Sequence, residues 1–216
     1  MNEARGEALA LRVRLVSETS LIVHWLTREH GRMATMARGA LRPKSPFRGK
    51  LDLLHQCEIL WVKSHRGDLH ALKEVQFVRG WPGLRAEIGS LRAASCAIRW
   101  VEHCTEADTP LPGLFELLNS MLDGIESQED APMGLIRFEV RFMDWLGLLP
   151  ASAEFPVRSE GRTWLERFRK ERGCADAEFL PGQAGYAVFL RAWEGFLVQQ
   201  FGRLPTGRRE ALAVVS

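Results

Sequence analysis

LALRVRLVSETSLIVHWLTREHGRMATMA, residues 9 to 37, decides the fold class, because its apolar residues recur with the period of strands. Leu9, Leu11, Val13 and Leu15 alternate with polar or small residues and share one face of an extended chain, while Arg12 and Arg14 project from the other. After Ser17-Glu18-Thr19-Ser20 comes a second apolar run, Leu21 to Leu26, rich in β-formers. In Thr27 to Arg32, Gly31 supplies the backbone freedom of a tight turn, and Met33 to Ala37 completes a hairpin.

Further along, Gln56 to Val62 reads as a fourth strand, His65 to Asp68 as a turn and Leu69 to Val78 as a fifth. Five short strands within 80 residues fit a small barrel of the OB type, with a flat meander as the competitor. After Trp81-Pro82-Gly83 the period becomes helical: Leu84, Ile88, Leu91, Ala94 or Ser95, Ile98 and Val101 fall on one face. Further helices are predicted over 112–122, 132–148, 164–172 and 183–201. The expected fold class is therefore α+β: a five-stranded OB-type β-barrel in residues 1–80 followed by an all-α domain in residues 81–216.

Of 216 residues, 46% are apolar and 26% charged, which excludes a disordered chain. No apolar run reaches the length of a membrane helix, and MNEARGEALA lacks the apolar centre of a secretion signal, so a cytoplasmic protein without membrane contact is expected. Cys57, Cys96, Cys104 and Cys174 lie far apart and read as reduced, mostly buried thiols. The net charge of +2 hides an asymmetry. Residues 1–80 carry 14 Lys plus Arg against 8 Asp plus Glu, whereas the rest carry 15 against 19.

That excess is concentrated in ARGALRPKSPFRGKLD, residues 37–52, where Arg38, Arg42, Lys44, Arg48 and Lys50 precede the first acid. A solvated Pro- and Gly-punctuated loop has the same composition. Joining strands of a small barrel, however, such a loop can track the phosphates of a single strand while an aromatic, here Phe47, stacks a base. Arg12, Arg14, Lys63 and Arg66 are candidate extensions of the same surface. Contacts of this kind bind without reading sequence and weaken with salt.

Residues 17–52 carry a resemblance. A strand ending in Thr27, an acid-Gly turn at Glu29 and Gly31, a basic-Gly-small segment at Arg38-Gly39-Ala40, the pair Lys44-Ser45 and then Gly49-Lys50-Leu51 are similar to the N-terminal region of the bacterial RecO family of recombination mediators. IRFEVRFMDWLGLLP (136–150) resembles that family's Arg-Phe-Glu helix ending in Leu-Gly, and FGRLPTGRR (201–209) its closing segment. The resemblance implies an OB domain followed by a helical domain, with no catalysis and no cofactor. It also implies binding of single- and double-stranded DNA, annealing of complementary strands, and work with RecR. Loading of RecA onto DNA coated with single-stranded DNA-binding protein would follow, with nucleoid association during repair. The acidic, apolar C-terminal tail of that coating protein would be captured by the helical domain. For that role Arg137 and Arg141, four residues apart on one helix face, are the candidate cations, near Phe138, Phe142 and Trp145. The alternative has both arginines paired with Glu139 or Asp144 and the aromatics in a plain core.

The chain departs from the pattern in two places. Many members carry four zinc-binding cysteines after the Leu-Gly, where this chain has PASAEFPVRSEGRTWLERFRKERG. Its closing segment has Arg203, Arg208 and Arg209 around Leu204-Pro205-Thr206-Gly207, leaving the role of those cations open. Arg66-Gly67-Asp68 is explained by a turn, and the neighbouring His and Cys residues bring no further ligands at usable spacing. Phosphate-binding and nucleophile-elbow motifs are missing. The competing readings are a protein-docking adaptor built on an OB module and an RNA-binding OB protein.

Overall fold

The computed structural model describes residues 3–65, 67–127, 130–152, 154–155, 157, 159–170 and 185–213. Arg66 and Cys174, the end of the helix expected over 164–172 and the start of that over 183–201 lie outside the described residues. The chain divides into two compact units, Met1–Trp81 with Cys104–Glu116, and Pro82–His103 with Leu117–Ser216.

In the first unit, strands β1 (Glu3–Ser17), β2 (Ser20–Thr27), β3 (Gly31–Ala37), β4 (Gln56–Val62) and β5 (Leu69–Arg79) close into a barrel in the order β1-β2-β3-β5-β4. Strand β1 serves two neighbours, β4 through Glu3–Leu9 and β2 through Ala8–Ser17. It changes partner at a bulge, because Ala10 pairs with Trp25 and Arg12 with His24, leaving Leu11 unopposed. The bulge corrects the single apolar face expected for Leu9, Leu11, Val13 and Leu15. Before it, Ala8 and Ala10 face the barrel core; after it, Val13 does, and Arg12 and Arg14 stay outside. Leu15, past the core, is 67% exposed.

The core is built on Trp25, Trp61, Val23, Ile59, Met33, Leu72 and Val75. Trp25 Nε1 donates to Thr35 Oγ1 at 2.8 Å, so its buried polar atom is satisfied. At the β2–β3 turn, Thr27 Oγ1 accepts from the His30 amide and donates to the Gly31 carbonyl, both at 2.9 Å. Gly31 has φ +71°, and a Cβ there would lie 1.7 Å from the Thr109 carbonyl oxygen. The segment Cys104–Glu116 is thus laid against the turn. It bridges to β3 between Arg32 and Ala107, and Arg32 Nε donates to Thr105 Oγ1 at 2.7 Å.

The second unit is helical: α1 (Pro82–Ala86), α2 (Ile88–Cys104), α3 (Leu114–Glu126), α4 (Ala131–Trp145), α5 (Ser159–Lys170), α6 (Tyr186–Phe201) and α7 (Arg208–Leu212), with α2 and α3 lending their adjoining ends to the first unit. The helix expected from Leu84 is divided at Glu87, and Ile88, expected on its apolar face, is 55% exposed. The Glu126 carboxylate accepts from the Gly83 and Leu84 amides at 3.2 Å, an acid at the first turn of α1. Helix α4 starts where Asp130 accepts from the Met133 amide and Pro132 fixes the first turn. Among the described residues no helix is long and apolar enough to cross a membrane.

Candidate nucleic-acid interface

The basic segment is a chain of turns. The amides of Arg42, Ser45, Arg48 and Lys50 donate to the carbonyls of Gly39, Arg42, Ser45 and Phe47 at 3.0–3.2 Å. Its start is sewn to the β1–β2 hairpin, with the Leu41 amide on the Thr19 carbonyl at 3.0 Å and the Gly39 amide on Ser20 Oγ at 3.2 Å. Gly39 adopts φ +67°, and the Arg42 side chain passes 3.3 Å from where a Cβ would stand. Glycine therefore lets the loop turn and lets Arg42 fold across it.

Arg38, Arg42, Lys44 and Arg48 are exposed. Arg48 Nη1 donates to the Pro43 carbonyl at 3.2 Å, holding its guanidinium over the loop. Lys50 is half-buried and its Nζ donates to the Val75 carbonyl of β5 at 3.1 Å, while its own carbonyl accepts from His55 Nδ1 at 3.0 Å. Arg14 is exposed and pairs with Ile22, which pairs with Met36, placing it one strand row from the start of the loop; Arg12, also exposed, stands one row further back. Lys63 does not join them. It follows Val62, the partner of Glu3, at the opposite end of β1, about 35 Å along the strand from Arg14.

Phe47 requires a correction. Its ring is 7% exposed and belongs to the barrel core, so no face is open for base stacking. The loop turns carry the ring inward because burial of an aromatic face is worth several kcal/mol, about 2–3, that solvent does not return. The exposed aromatic of the barrel is instead Phe77 on β5, at 45%. Its only sequence signal was the loss of strict alternation near the end of β5, where Val78 is bulged between the Cys57–Phe77 and Gln56–Arg79 pairs.

In the helical unit, Arg137, 8% exposed, and the half-buried Arg141 line one narrow crevice with Leu117, Ser120, Met121, Gly134 and Phe138. Phe142 is fully buried and stacks between Phe138 and Trp145, at centroid distances of 5.5 and 5.8 Å, as part of the core. Glu139 is taken by Arg208, and Asp144 lies 3.2 Å from Arg169. Of the closing segment's cations, Arg208 is 3% exposed and structural, whereas Arg203 and Arg209 are exposed. Burial opposes the charge of Arg208, but the Glu139 carboxylate outweighs burial and raises its pKa above the ordinary arginine value.

Residues 1–81 match the family described as Recombination protein O N terminal, and residues 85–206 match Recombination protein O C terminal. The chain is 32% identical over 150 residues to the DNA repair protein RecO of Rhodopirellula baltica, covering 69% of this chain and 56% of that protein. It is 31% identical over 150 residues to the DNA repair protein RecO of Myxococcus xanthus, covering 69% and 61%. With the DNA repair protein RecO of Anaeromyxobacter dehalogenans it shares 30% identity over 230 residues, covering 98% and 89%. The matched region thus spans little more than half the length of the first two relatives.

Proposed function

Since the chain belongs to the recombination protein O family, we propose that it is a DNA-binding recombination mediator whose barrel, residues 1–80, holds DNA and whose helical part, residues 81–216, receives a protein partner. The observation that carries this reading is the ordered loop presenting Arg38, Arg42, Lys44 and Arg48 to solvent, with Arg12 and Arg14 on the adjoining strand. Such a surface neutralises phosphates without reading bases. By screening two backbones at once it lets complementary strands approach, and base pairing supplies the favourable energy of annealing. No chemical step is assigned to it.

On the same reading, Arg137 and Arg141 grip the carboxylates of the acidic C-terminal tail of single-stranded DNA-binding protein. With RecR, the protein would then help RecA onto coated DNA in the bacterial cytoplasm, at the nucleoid. The deciding experiment is strand annealing on DNA precoated with single-stranded DNA-binding protein. Annealing that depends on Arg42, Lys44 and Arg48, and on the coating protein's tail, is expected. Failure to anneal coated strands despite firm DNA binding would reduce the protein to a simple DNA binder. Tight binding of the tail peptide with no DNA binding would make it an adaptor.

A further inference from the structure

We propose that Phe77 is where the barrel stacks an unpaired DNA base, an inference that rests on reading the barrel as DNA-binding. Stacking needs a ring with an open face and a nearby cation for the adjoining phosphate. Trp25, Trp61 and Phe47 are at most 7% exposed, and among the described residues no Phe, Trp or Tyr is as open to solvent as Phe77.

The ring is held from one side. His55 meets it edge-on, with centroids 4.8 Å apart and planes at 67°, and His55 is itself fixed by the Lys50 carbonyl. Lys50 reaches β5 two residues before Phe77, donating to the Val75 carbonyl. An ammonium has three donors, so two remain for a phosphate. Ring, imidazole and the last cation of the loop therefore form one cluster with its geometry set before any DNA arrives.

Beside this cluster lies a cleft of about 480 Å³, lined by Phe77, Lys50, Arg5, Glu58, Glu74 and Gln76 among others. Arg5 is matched by Glu58 at 3.6 Å and Glu74 at 3.1 Å. The two carboxylates repel a phosphodiester but accept from the exocyclic amino groups of adenine, cytosine and guanine. This polarity sets the direction of entry: the backbone stays beside Lys50, and a base turns inward over Phe77. A duplex keeps its bases stacked on one another and offers none to the ring. The contribution of Phe77 is thereby confined to single strands.

The test measures binding of a short mixed-sequence single strand and its duplex to the full chain and to Phe77→Ala, Phe77→Leu and Phe77→Trp. Loss of one stack is expected to weaken single-strand binding about ten-fold in Phe77→Ala and in Phe77→Leu, leaving the duplex and the salt dependence unchanged. Phe77→Trp should bind at least as well as the native chain. Equal losses on strand and duplex, or native affinity in Phe77→Leu, would overturn the proposal, the first by making the ring structural and the second by making it a simple apolar contact. Native single-strand affinity in Phe77→Ala removes the stacking site and leaves the DNA-binding reading intact. A native chain that binds no single strand overturns both.

Discussion

Arg208 lies in a bidentate ion pair with Glu139, Nε to Oε1 at 2.7 Å and Nη2 to Oε2 at 2.8 Å, across 69 positions of sequence. The carboxylate is fully buried and also accepts from the indoles of Trp100 at 2.8 Å and Trp193 at 2.9 Å. Four donors on one buried carboxylate tie α2, α4, α6 and α7 together at a single point. Removing one partner strands the other charge. Glu139→Gln is expected to lower the stability of the helical part by about 3–5 kcal/mol, read as a fall in the urea midpoint. Arg208→Lys should also destabilise, because an ammonium cannot reproduce the fork.

Replacing Arg42, Lys44 and Arg48 together by Ala should weaken single-stranded DNA binding and flatten its salt dependence. At about 0.7 per phosphate contact on a single strand, loss of three contacts lowers the log–log slope by about 2. Titration between about 50 and 200 mM salt measures it. An unchanged slope would remove these side chains from the phosphate surface. Lys50→Ala should behave differently, since it also deletes the bond to the Val75 carbonyl, and thermal unfolding should register that loss.

Phe47→Ala leaves a void between barrel strands. A cost of about 3–5 kcal/mol is expected, visible as a lowered unfolding midpoint. Phe47→Leu should recover most of that stability and bind DNA as the native chain does, which a stacking role would not allow.

Gly31→Ala is expected to be strongly destabilising. A side chain at φ +71° costs about 1–2 kcal/mol, and its Cβ would collide with the Thr109 carbonyl. A midpoint shift no larger than the backbone cost alone would show that Cys104–Glu116 yields easily.

Burial pushes the Cys57 and Cys104 thiols up to about 11 and that of Cys96 to about 12, from an ordinary 9.0. Few thiolates form at pH 8, so alkylation of these three cysteines, followed by peptide mapping, should be slow in the folded chain and fast in urea. Above pH 9.0 the unfolded thiols lose protons that the folded ones keep, so stability should fall as pH rises toward those raised values.

Much of the architecture was legible because strand and helix periods differ, and the switch after Trp81-Pro82-Gly83 is abrupt. The inner face of β1 was not legible. Leu9, Leu11, Val13 and Leu15 keep an unbroken alternation of letters, yet β4 and β2 take different halves of the strand and the phase shifts at Leu11. The loop cations were readable as charge, but Phe47 was not readable as core. An aromatic flanked by cations has the same composition whether it meets a base or fills a barrel. Phe77 sat in an ordinary strand pattern, and Glu139 and Arg208 are too distant for any spacing to join them.

The placement of Phe47 also binds the fate of the loop to that of the barrel. Since the segment bearing Arg42, Lys44 and Arg48 supplies a core side chain, it cannot swing away as a tether while the strands remain closed. Its amides at Ser45, Arg48 and Lys50 should therefore exchange with solvent deuterium on the schedule of β2 and β4, as members of one cooperative unit. The ordering entropy that a disordered basic arm surrenders on meeting DNA has here already been surrendered during folding.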